Sequence, residues 1–333
     1  MNKNVKMSNS ILISVVITTY NRAYHLIKIL HCLKKNYSNF SRFEVIICDS
    51  NSKDLSETKV RIFKLNHNYL KITYFNISQN LNSVKRNRGF ARAVGKYVIF
   101  LDDDCYPNSD FLKNYFHILS TENTKNKIFC GSVKYPQYLM KNLFVRYRQT
   151  RHFFFKKKIG ISGNELGPEK IVTMNMAIAK NNFLYNQKLF NEKFNLYGFE
   201  DFEFGCRVID NNFKIIACSP LVYHHDDRSF SLYLNKIRFL GNQSMKYLLK
   251  IDPSTAKKNN FYKLENNLVV RSLLKFKFVN SLLKNVEIIL INMEQSKFFP
   301  SFLYKVAFAV SYLSGCIQRK FLYEDFKKNK WYK

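Results

Sequence analysis

The chain contains 333 residues, of which 46% are hydrophobic, and it carries a formal charge of +30 at pH 7. This composition excludes a globally disordered protein, and the length allows either one large domain with an appendage or two domains. The excess of positive charge predicts attraction to polyanions, which leaves nucleic acid, anionic lipid and phosphorylated small molecules as alternatives.

Cysteine usage and the apolar segments indicate a reducing compartment and no membrane span. The seven cysteines are scattered and never at C-x-x-C spacing, so they predict reduced thiols of a cytosolic protein without a zinc framework. The apolar run "ILISVVI" at 11–17 imitates a signal peptide, but it continues into "TTYNR" without a small-residue cleavage site and predicts a buried first strand. The apolar stretch 302–317 contains Lys305 and is shorter than the roughly 20 residues that span a bilayer.

Strand and helix signals alternate through the first 135 residues. Apolar, β-branched runs predict five strands, at residues 11–19, 43–50, 71–77, 96–102 and 127–133. The segments between the first four strands, and the segment before the fifth, show helical patterns. Strands that are separated by helices require crossover connections, so the sequence predicts an α/β fold with a mostly parallel sheet flanked by helices.

Acidic residues follow two of the predicted strands. Asp49 ends the second strand, and "DDD" at residues 102–104 ends the fourth. Ligands of such sheets bind beyond the carboxyl ends of the strands, so both acidic groups are expected at the same rim. Carboxylates clustered in one turn suit Mg²⁺ or Mn²⁺ together with substrate phosphates. The alternative is an exposed acidic turn that caps a helix starting near Asp110.

The loop after the first strand, "VITTYNRA", contains no glycine, which argues against both a dinucleotide-binding fingerprint and a phosphate-binding P-loop. Other groups must therefore contact the phosphates of a ligand. Lys85, Arg86 and Arg88 lie in the helix before the fourth strand, within reach of the same rim. A solvated basic helix face is the alternative for each of them.

Four segments in order resemble the motifs of the inverting family 2 glycosyltransferases of the GT-A fold. They are "VVITTYNR" at 15–22, "EVIICDSNSKD" at 44–54, "SVKRNRGFARAVGKYVIFLDDDCYP" at 83–107 and "GFEDFEFGCRV" at 198–208. The resemblance spans residues 11–225. It implies a Rossmann-like GT-A sheet and transfer of a sugar from a nucleoside-diphosphate sugar, with a UDP sugar expected.

The resemblance also implies which residues bind the nucleotide sugar. Thr19 and Tyr20 would line the nucleotide pocket at the end of the first strand, and Asp49 would bond the uracil or ribose. Arg86 would contact the diphosphate. Family members often have glycine before the serine of "DSNSKD", and Asn51, which stands there, can adopt the same turn conformation.

The metal site implied by the resemblance centres on the D-x-D pair formed by Asp102 and Asp104. Asp104 is expected to bind Mn²⁺ or Mg²⁺ directly, while Asp102 lies closer to the ribose and Asp103 belongs to the nucleotide-sugar site. In "VYHHDD", either His224 or His225 could complete the metal site through a neutral imidazole. A histidine that is satisfied structurally near a strand end is the alternative.

Inverting transfer needs a base on the acceptor side, and a carboxylate can supply it. The resemblance assigns this role to Asp201 in "GFEDFEF", with Glu200 beside it. A charged first helical turn, which would also include Glu203, is the alternative. The segment "TMNMAIAKNNF" resembles the family's sugar-proximal strand and makes Asn175 a candidate contact to the transferred sugar or the acceptor.

Positive charge concentrates in two regions. Residues 141–158 hold seven Lys or Arg and no acid, and from residue 231 onward there are 19 Lys and Arg against 6 Asp and Glu. The second region combines helical apolar periodicity with flanking lysines, which predicts a helix lying on an anionic membrane surface. The alternative is a helical subdomain with a solvated basic exterior. The predicted domains are a catalytic domain at 1–230 and a basic amphipathic helical region at 231–333.

The leading functional hypothesis is a metal-dependent inverting glycosyltransferase, peripheral on the cytoplasmic face of the cell membrane. It would act on a glycan or lipid-linked acceptor in the synthesis of a bacterial surface polysaccharide such as capsule or lipopolysaccharide. A sugar-phosphate nucleotidyltransferase is the alternative, but that class would need a glycine-rich loop after the first strand. A nucleic-acid-binding protein would leave the carboxylates without a purpose, so no nucleic-acid partner is expected.

Overall fold

The computed structural model describes residues 10–151, 160–171, 173–183, 188–296 and 299–318. The chain divides into two compact units. The first, the sheet unit, takes its described residues from 1–134, 153–190 and 208–225. The second, the helical unit, takes them from 135–152, 191–207 and 226–333. The domain boundary that we place near residue 230 stays a prediction, and the helical unit also includes two earlier segments.

One mixed sheet forms the sheet unit. Within the described residues its strands are β1 Ile13–Thr19, β2 Phe43–Asp49, β3 Lys71–Asn76, β4 Tyr97–Asp102, β5 Cys105–Pro107, β6 Lys127–Lys134, β7 Ile161–Glu165, β8 Asn175–Ala179 and β9 Lys214–His224. They are ordered β3-β2-β1-β4-β8-β6-β9-β5, and β7 also pairs with β9. β5, β7 and β8 are antiparallel to their neighbours, whereas the other six strands share one direction.

The five strands predicted from the sequence are confirmed, with ends that differ by one or two residues. Every residue of β1 is buried because both faces of this central strand are covered, which explains why its apolar residues occupy both faces. The short β5 and β7 are absent from the sequence prediction. Short strands whose pairing depends on distant residues carry little local signal.

Four helices belong entirely to the sheet unit: α1 Ala23–Asn36, α2 Ser56–Asn66, α3 Asn82–Arg92 and α4 Phe111–Thr121. Their apolar sides pack on the sheet in one core, to which Leu26, Val60 and Tyr115 contribute. α3 approaches β1 closely at Gly89, where a Cβ atom would lie 2.3 Å from Cγ1 of Val16. This close approach holds the basic residues of α3 near the end of β1.

The helical unit is built from helices, and α6 begins in it and ends in the sheet unit. The helices are α5 Leu143–Arg151, α6 Glu200–Asp210, α7 Phe230–Phe239, α8 Met245–Ile251, α9 Pro253–Lys258, α10 Asn260–Glu265, α11 Leu268–Leu273, α12 Lys277–Gln295 and α13 Ser301–Ile317. An aromatic cluster around Phe144, Phe230 and Tyr304 joins α5, α7 and α13. Among the described residues, no helix is both long enough and apolar enough to cross a membrane.

Candidate functional site

The carboxyl ends of β1, β2 and β4 lie side by side, as the sequence predicts. In the strand register Thr19 pairs with Asp49 and Thr18 pairs with Asp102. This alignment brings the acidic residues of two strands to one rim, because parallel neighbours end at the same edge. Tyr20, which follows β1 directly, is partly buried.

Asp49 is a buried carboxylate that three donors hold in place. Its Oδ2 atom accepts hydrogen bonds from the backbone N–H of Ser52 at 3.0 Å and from the hydroxyl of Tyr74 at 2.6 Å. The hydroxyl of Ser52 donates to Oδ1 at 2.5 Å. Asn51 adopts the left-handed conformation with a φ of 54°, which confirms the expected turn. The turn after β2 therefore fixes the orientation of Asp49.

Arg22 bridges two of the three consecutive aspartates. Its Nη1 atom donates to Oδ1 of Asp103 at 2.8 Å and to Oδ2 of Asp104 at 2.6 Å. The hydroxyl of Thr19 donates to the other oxygen of Asp103 at 2.7 Å. Asp103 and Asp104 are each 4% exposed, whereas Asp102 is partly exposed. The turn is therefore not the exposed acidic cap that we considered as an alternative.

The pKa values of Asp103 and Asp104 are shifted in opposite directions by their surroundings. Burial raises the pKa of Asp103 to about 6, although Arg22 and Thr19 favour its ionised form. Burial also disfavours the charge of Asp104, but His224 and Arg22 outweigh it and hold the pKa of Asp104 well below its usual range. Asp104 therefore stays ionised well below neutral pH, whereas Asp103 gains a proton as the pH falls through about 6.

The ring of His224 faces the carboxylate of Asp104, whereas the ring of His225 packs on Tyr106. The Nε2 atom of His224 is 3.5 Å from Oδ1 of Asp104. The ring of His225 packs on Tyr106 with centroids 4.0 Å apart, and its backbone N–H donates to the carbonyl of Asp104. Of the two histidines predicted as candidates, the geometry favours His224, and the prediction for His225 gains no support.

A divalent ion fits the residues around Asp104. One ligand atom each from Asp104, Cys105 and His224 lies within 4.8 Å of the other two. An ionised carboxylate is a donor that both Mn²⁺ and Mg²⁺ prefer, whereas an imidazole nitrogen suits Mn²⁺ better than the harder Mg²⁺. Burial and the nearby aspartates raise the pKa of the Cys105 thiol well above its usual range, so the thiol keeps its proton and is a poor ligand for a hard cation.

Two cations of α3 are held beside this cluster. The Nη2 atom of Arg86 is 3.2 Å from Oδ1 of Asp102, and its guanidinium packs 5.4 Å from the centre of the Phe190 ring. The Nζ atom of Lys85 donates to the carbonyl of Thr19 at 3.3 Å, and burial lowers the pKa of Lys85 to about 8. Arg88 is exposed. Of the three basic residues of α3 considered above, it is therefore the one that fits the alternative of a solvated helix face.

The side-chain amide of Asn175 forms hydrogen bonds with residues of two other strands and of α4. Its amide nitrogen donates to the carbonyls of Ser132 and Pro220, both at 3.0 Å, and its amide oxygen accepts from the hydroxyl of Tyr115 at 2.7 Å. The residue is 0% exposed. These bonds occupy the amide with neighbours inside the sheet unit, so the predicted contact of Asn175 with the sugar or acceptor gains no support.

The acidic residues predicted as the base lie in the helical unit, in the first turn of α6. Glu200 and Asp201 are partly exposed. Glu203 is buried and bonds Arg207, with Nε at 2.7 Å and Nη2 at 3.2 Å from its two oxygens. Glu203 therefore stabilises the helix, and of the three acids Glu200 and Asp201 are the ones that a substrate could reach.

Sequence reasoning assigned no role to Arg22, although the motif "TTYNR" contains it. The signal that could have found it is the sequence of three aspartates itself, since buried like charges need a nearby cation. Arg22 lies immediately before α1, 81 residues from Asp103.

We expect Arg22→Met to lower the free energy of unfolding by about 3 kcal/mol in the absence of divalent ions. The substitution leaves two adjacent buried carboxylates without the cation that they share. Urea unfolding measures the change, with Arg61→Met on the exposed side of α2 as the control. If both variants lose the same small amount, Arg22 does not stabilise the turn.

The sequence is similar to that of known glycosyltransferases. A family profile described as glycosyl transferase family 2 matches residues 14–181. Chondroitin synthase of Escherichia coli is 35% identical over 123 residues, which cover 37% of this chain and 17% of that protein. The amylovoran biosynthesis glycosyltransferase AmsB of Erwinia amylovora is 35% identical over 107 residues, which cover 32% of this chain and 35% of that protein. The matches thus span about a third or less of these relatives.

Among solved structures, the mannosyltransferase PcManGT from Pyrobaculum calidifontis, in complex with GDP-Man and Mn²⁺, superposes with a TM-score of 0.54. The two chains are 14% identical, and the superposition covers 93% of this chain and 87% of that one. At this identity the likeness shows the fold alone. It confirms the α/β architecture of the GT-A type that the sequence predicts.

Proposed function

This chain belongs to glycosyl transferase family 2, and from that premise we propose that it transfers a sugar, with inversion, from a nucleoside-diphosphate sugar to a hydroxyl of a glycan or lipid-linked acceptor. The transfer would depend on a divalent metal ion and would serve the synthesis of a bacterial surface polysaccharide. Family membership favours this reaction over that of a sugar-phosphate nucleotidyltransferase.

The observation that carries the proposal is the ionised carboxylate of Asp104 at the rim of the sheet. It lies beside the imidazole of His224, and Asp102 next to it contacts Arg86. Asp104 and His224 would hold Mn²⁺ or Mg²⁺, with Asp102 toward the ribose. When bound, the ion supplies charge neutralisation to the departing diphosphate. The complex of PcManGT with GDP-Man and Mn²⁺ supports the choice of ligand.

The remaining residues of the rim would bind and orient the donor. Asp49, which Ser52 and Tyr74 hold in a fixed orientation, would accept a hydrogen bond from the base or ribose at the edge of the buried cluster. Arg86 would exchange its contact with Asp102 for the diphosphate, because a guanidinium binds a phosphate with paired hydrogen bonds. Tyr20 would line the nucleotide pocket at the end of β1, while Thr19 and Asp103 position Arg22.

Asp201 would act as the base that accepts the proton of the attacking acceptor hydroxyl. It lies in the first turn of α6, where the helix dipole stabilises its carboxylate form. Glu200, in the same turn, would orient the acceptor hydroxyl.

The acceptor and the location are also part of the proposal, and the relatives' names support the acceptor. Chondroitin synthase and the amylovoran glycosyltransferase are both named for polysaccharides, which supports a glycan acceptor. We place the protein on the cytoplasmic side, at the inner face of the cell membrane, where a lipid-linked acceptor would be reached.

A hydrolysis and binding screen tests the proposal. The chain is incubated with UDP-, GDP- and dTDP-sugars and Mn²⁺, and the release of nucleoside diphosphate is measured together with thermal unfolding. We expect one nucleotide to raise Tm and to be released from its sugar, and EDTA to remove both effects. If no nucleotide raises Tm or is released with Mn²⁺ present, the proposal is wrong.

A further inference from the structure

Large apolar side chains are exposed along α12 and the residue before it. Phe276, Phe278, Leu282, Ile289 and Met293 are 54%, 64%, 53%, 56% and 38% exposed. The last four recur at spacings of four and seven residues, so they lie on one side of the helix. The ring of Phe276 contacts that of Phe278, with centroids 5.8 Å apart. We call these five residues the α12 face.

The opposite side of α12 is packed, so the helix is a fixed part of the helical unit. Val279 and Leu290 are buried, and Leu290 joins the aromatic cluster around Phe144. The α12 face is therefore additional to the apolar side that the fold itself uses. Exposed large apolar residues are ordinary when single, but a contiguous stripe of this kind marks an interaction site.

Around the α12 face the acidic residues are buried or partly buried, whereas the basic residues are exposed. Residues 268–296, all of which the structure describes, contain two acids, Glu287 and Glu294. Glu287 is buried and accepts a hydrogen bond from Arg238, and Glu294 is partly buried and accepts one from the hydroxyl of Tyr304. The four basic residues of the same segment, Arg271, Lys275, Lys277 and Lys284, are all exposed. The outer surface is thus apolar and positively charged.

We propose that the α12 face docks this chain on an anionic lipid bilayer, with α12 lying in the plane of the headgroups. Phe and Leu side chains would enter the boundary between headgroups and acyl chains, while the exposed basic residues of the same segment would contact lipid phosphates. A protein partner would need a complementary groove, whereas a bilayer accepts an exposed apolar stripe that has basic residues on the same helix. This docking goes beyond the proposed sugar transfer and does not depend on it.

Vesicle co-sedimentation of the full chain tests the proposal. We expect binding to vesicles of phosphatidylcholine with about one-third phosphatidylglycerol, and weak binding to pure phosphatidylcholine, because each basic residue near an anionic surface contributes about fivefold. Phe278→Ser with Ile289→Ser should weaken the binding to anionic vesicles at least about tenfold, since it removes two exposed apolar side chains. Lys275→Glu with Lys277→Glu should weaken it at least as much and should abolish the preference for anionic vesicles.

Matched control variants come from α2, which also exposes apolar and basic residues. Ile62→Ser with Leu65→Ser removes two apolar side chains that are 54% and 75% exposed, and Lys59→Glu with Lys64→Glu reverses two exposed charges. Both control variants should bind vesicles as the unaltered chain does. Circular dichroism and urea unfolding identify any variant that fails to fold. If the serine variant of α12 fails, the test uses Lys275→Glu with Lys277→Glu, because both of these lysines are exposed.

Three kinds of result would overturn the proposal. The first is equal loss of binding in the α12 and α2 variants, or no binding to anionic vesicles at all. The second is a dimer in sedimentation analysis that the α12 substitutions dissociate, which would make a second copy the occupant of the face. The third is vesicle binding that appears only after removal of residues 319–333, which would make the chain's own terminus the cover.

Discussion

Asp104→Ala is expected to lower sugar transfer by about 10³-fold or more and to remove the effect of Mn²⁺ on donor affinity. Asp104 is buried and ionised, and it is the carboxylate that His224 faces. Without it, His224 alone would have to hold the ion, and the diphosphate would lose its charge neutralisation. Calorimetric titration of the nucleotide, with and without Mn²⁺, measures the loss separately from turnover.

The control for this variant is Asp110→Ala, which lies six residues further along the chain, just before α4. Asp110 accepts a hydrogen bond from Asn39 on the surface and takes no part in the cluster. We expect its variant to bind and turn over the donor normally. If Asp104→Ala binds the nucleotide with unchanged affinity and keeps the dependence on Mn²⁺, Asp104 is not a metal ligand.

The strands and the position of the rim could be predicted because their signals are local. β1 carries the apolar residues Ile13, Val15, Val16 and Ile17 because both of its faces are covered, and acidic residues stand where β2 and β4 end. The turn at Asn51 could be predicted for the same reason, because the left-handed conformation is a property of the residue type. These features can be predicted without knowing which distant residues they contact in the folded chain.

The choice between His224 and His225 could not be made from the sequence. His224 ends β9 and His225 follows it, and because neighbouring side chains of an extended chain point to opposite faces, each side receives one histidine. Which of them faces the metal site depends on the register of β9 with β5, where His224 pairs with Cys105. That register is set by the packing of the whole sheet.

The side-chain pairs that complete the site are equally non-local. Arg22 reaches aspartates that lie some eighty residues away, and the amide of Asn175 is occupied by groups from three other parts of the chain. Asn175 is a candidate contact only through the resemblance of its segment to the family's sugar-proximal strand. Burial decides otherwise, because a fully buried amide must be bonded to its neighbours.

Asp201→Asn should lower sugar transfer by about 10³-fold while leaving donor affinity in the presence of Mn²⁺ within about twofold. The amide keeps the size of the carboxylate but cannot accept the proton of the attacking hydroxyl. Asp201 lies in the helical unit, whereas the residues proposed to bind the donor lie in the sheet unit. The variant should therefore separate the chemical step from donor binding, and product formation under saturating donor measures it.

Two further variants make the result specific to Asp201. Asp210→Asn alters an exposed acid at the other end of α6 and should leave transfer unchanged. Glu200→Gln, in the same turn as Asp201, should reduce transfer by about tenfold through the orientation of the acceptor, far less than the loss of a general base. A large loss in Glu200→Gln together with near-normal transfer in Asp201→Asn would assign the base to Glu200.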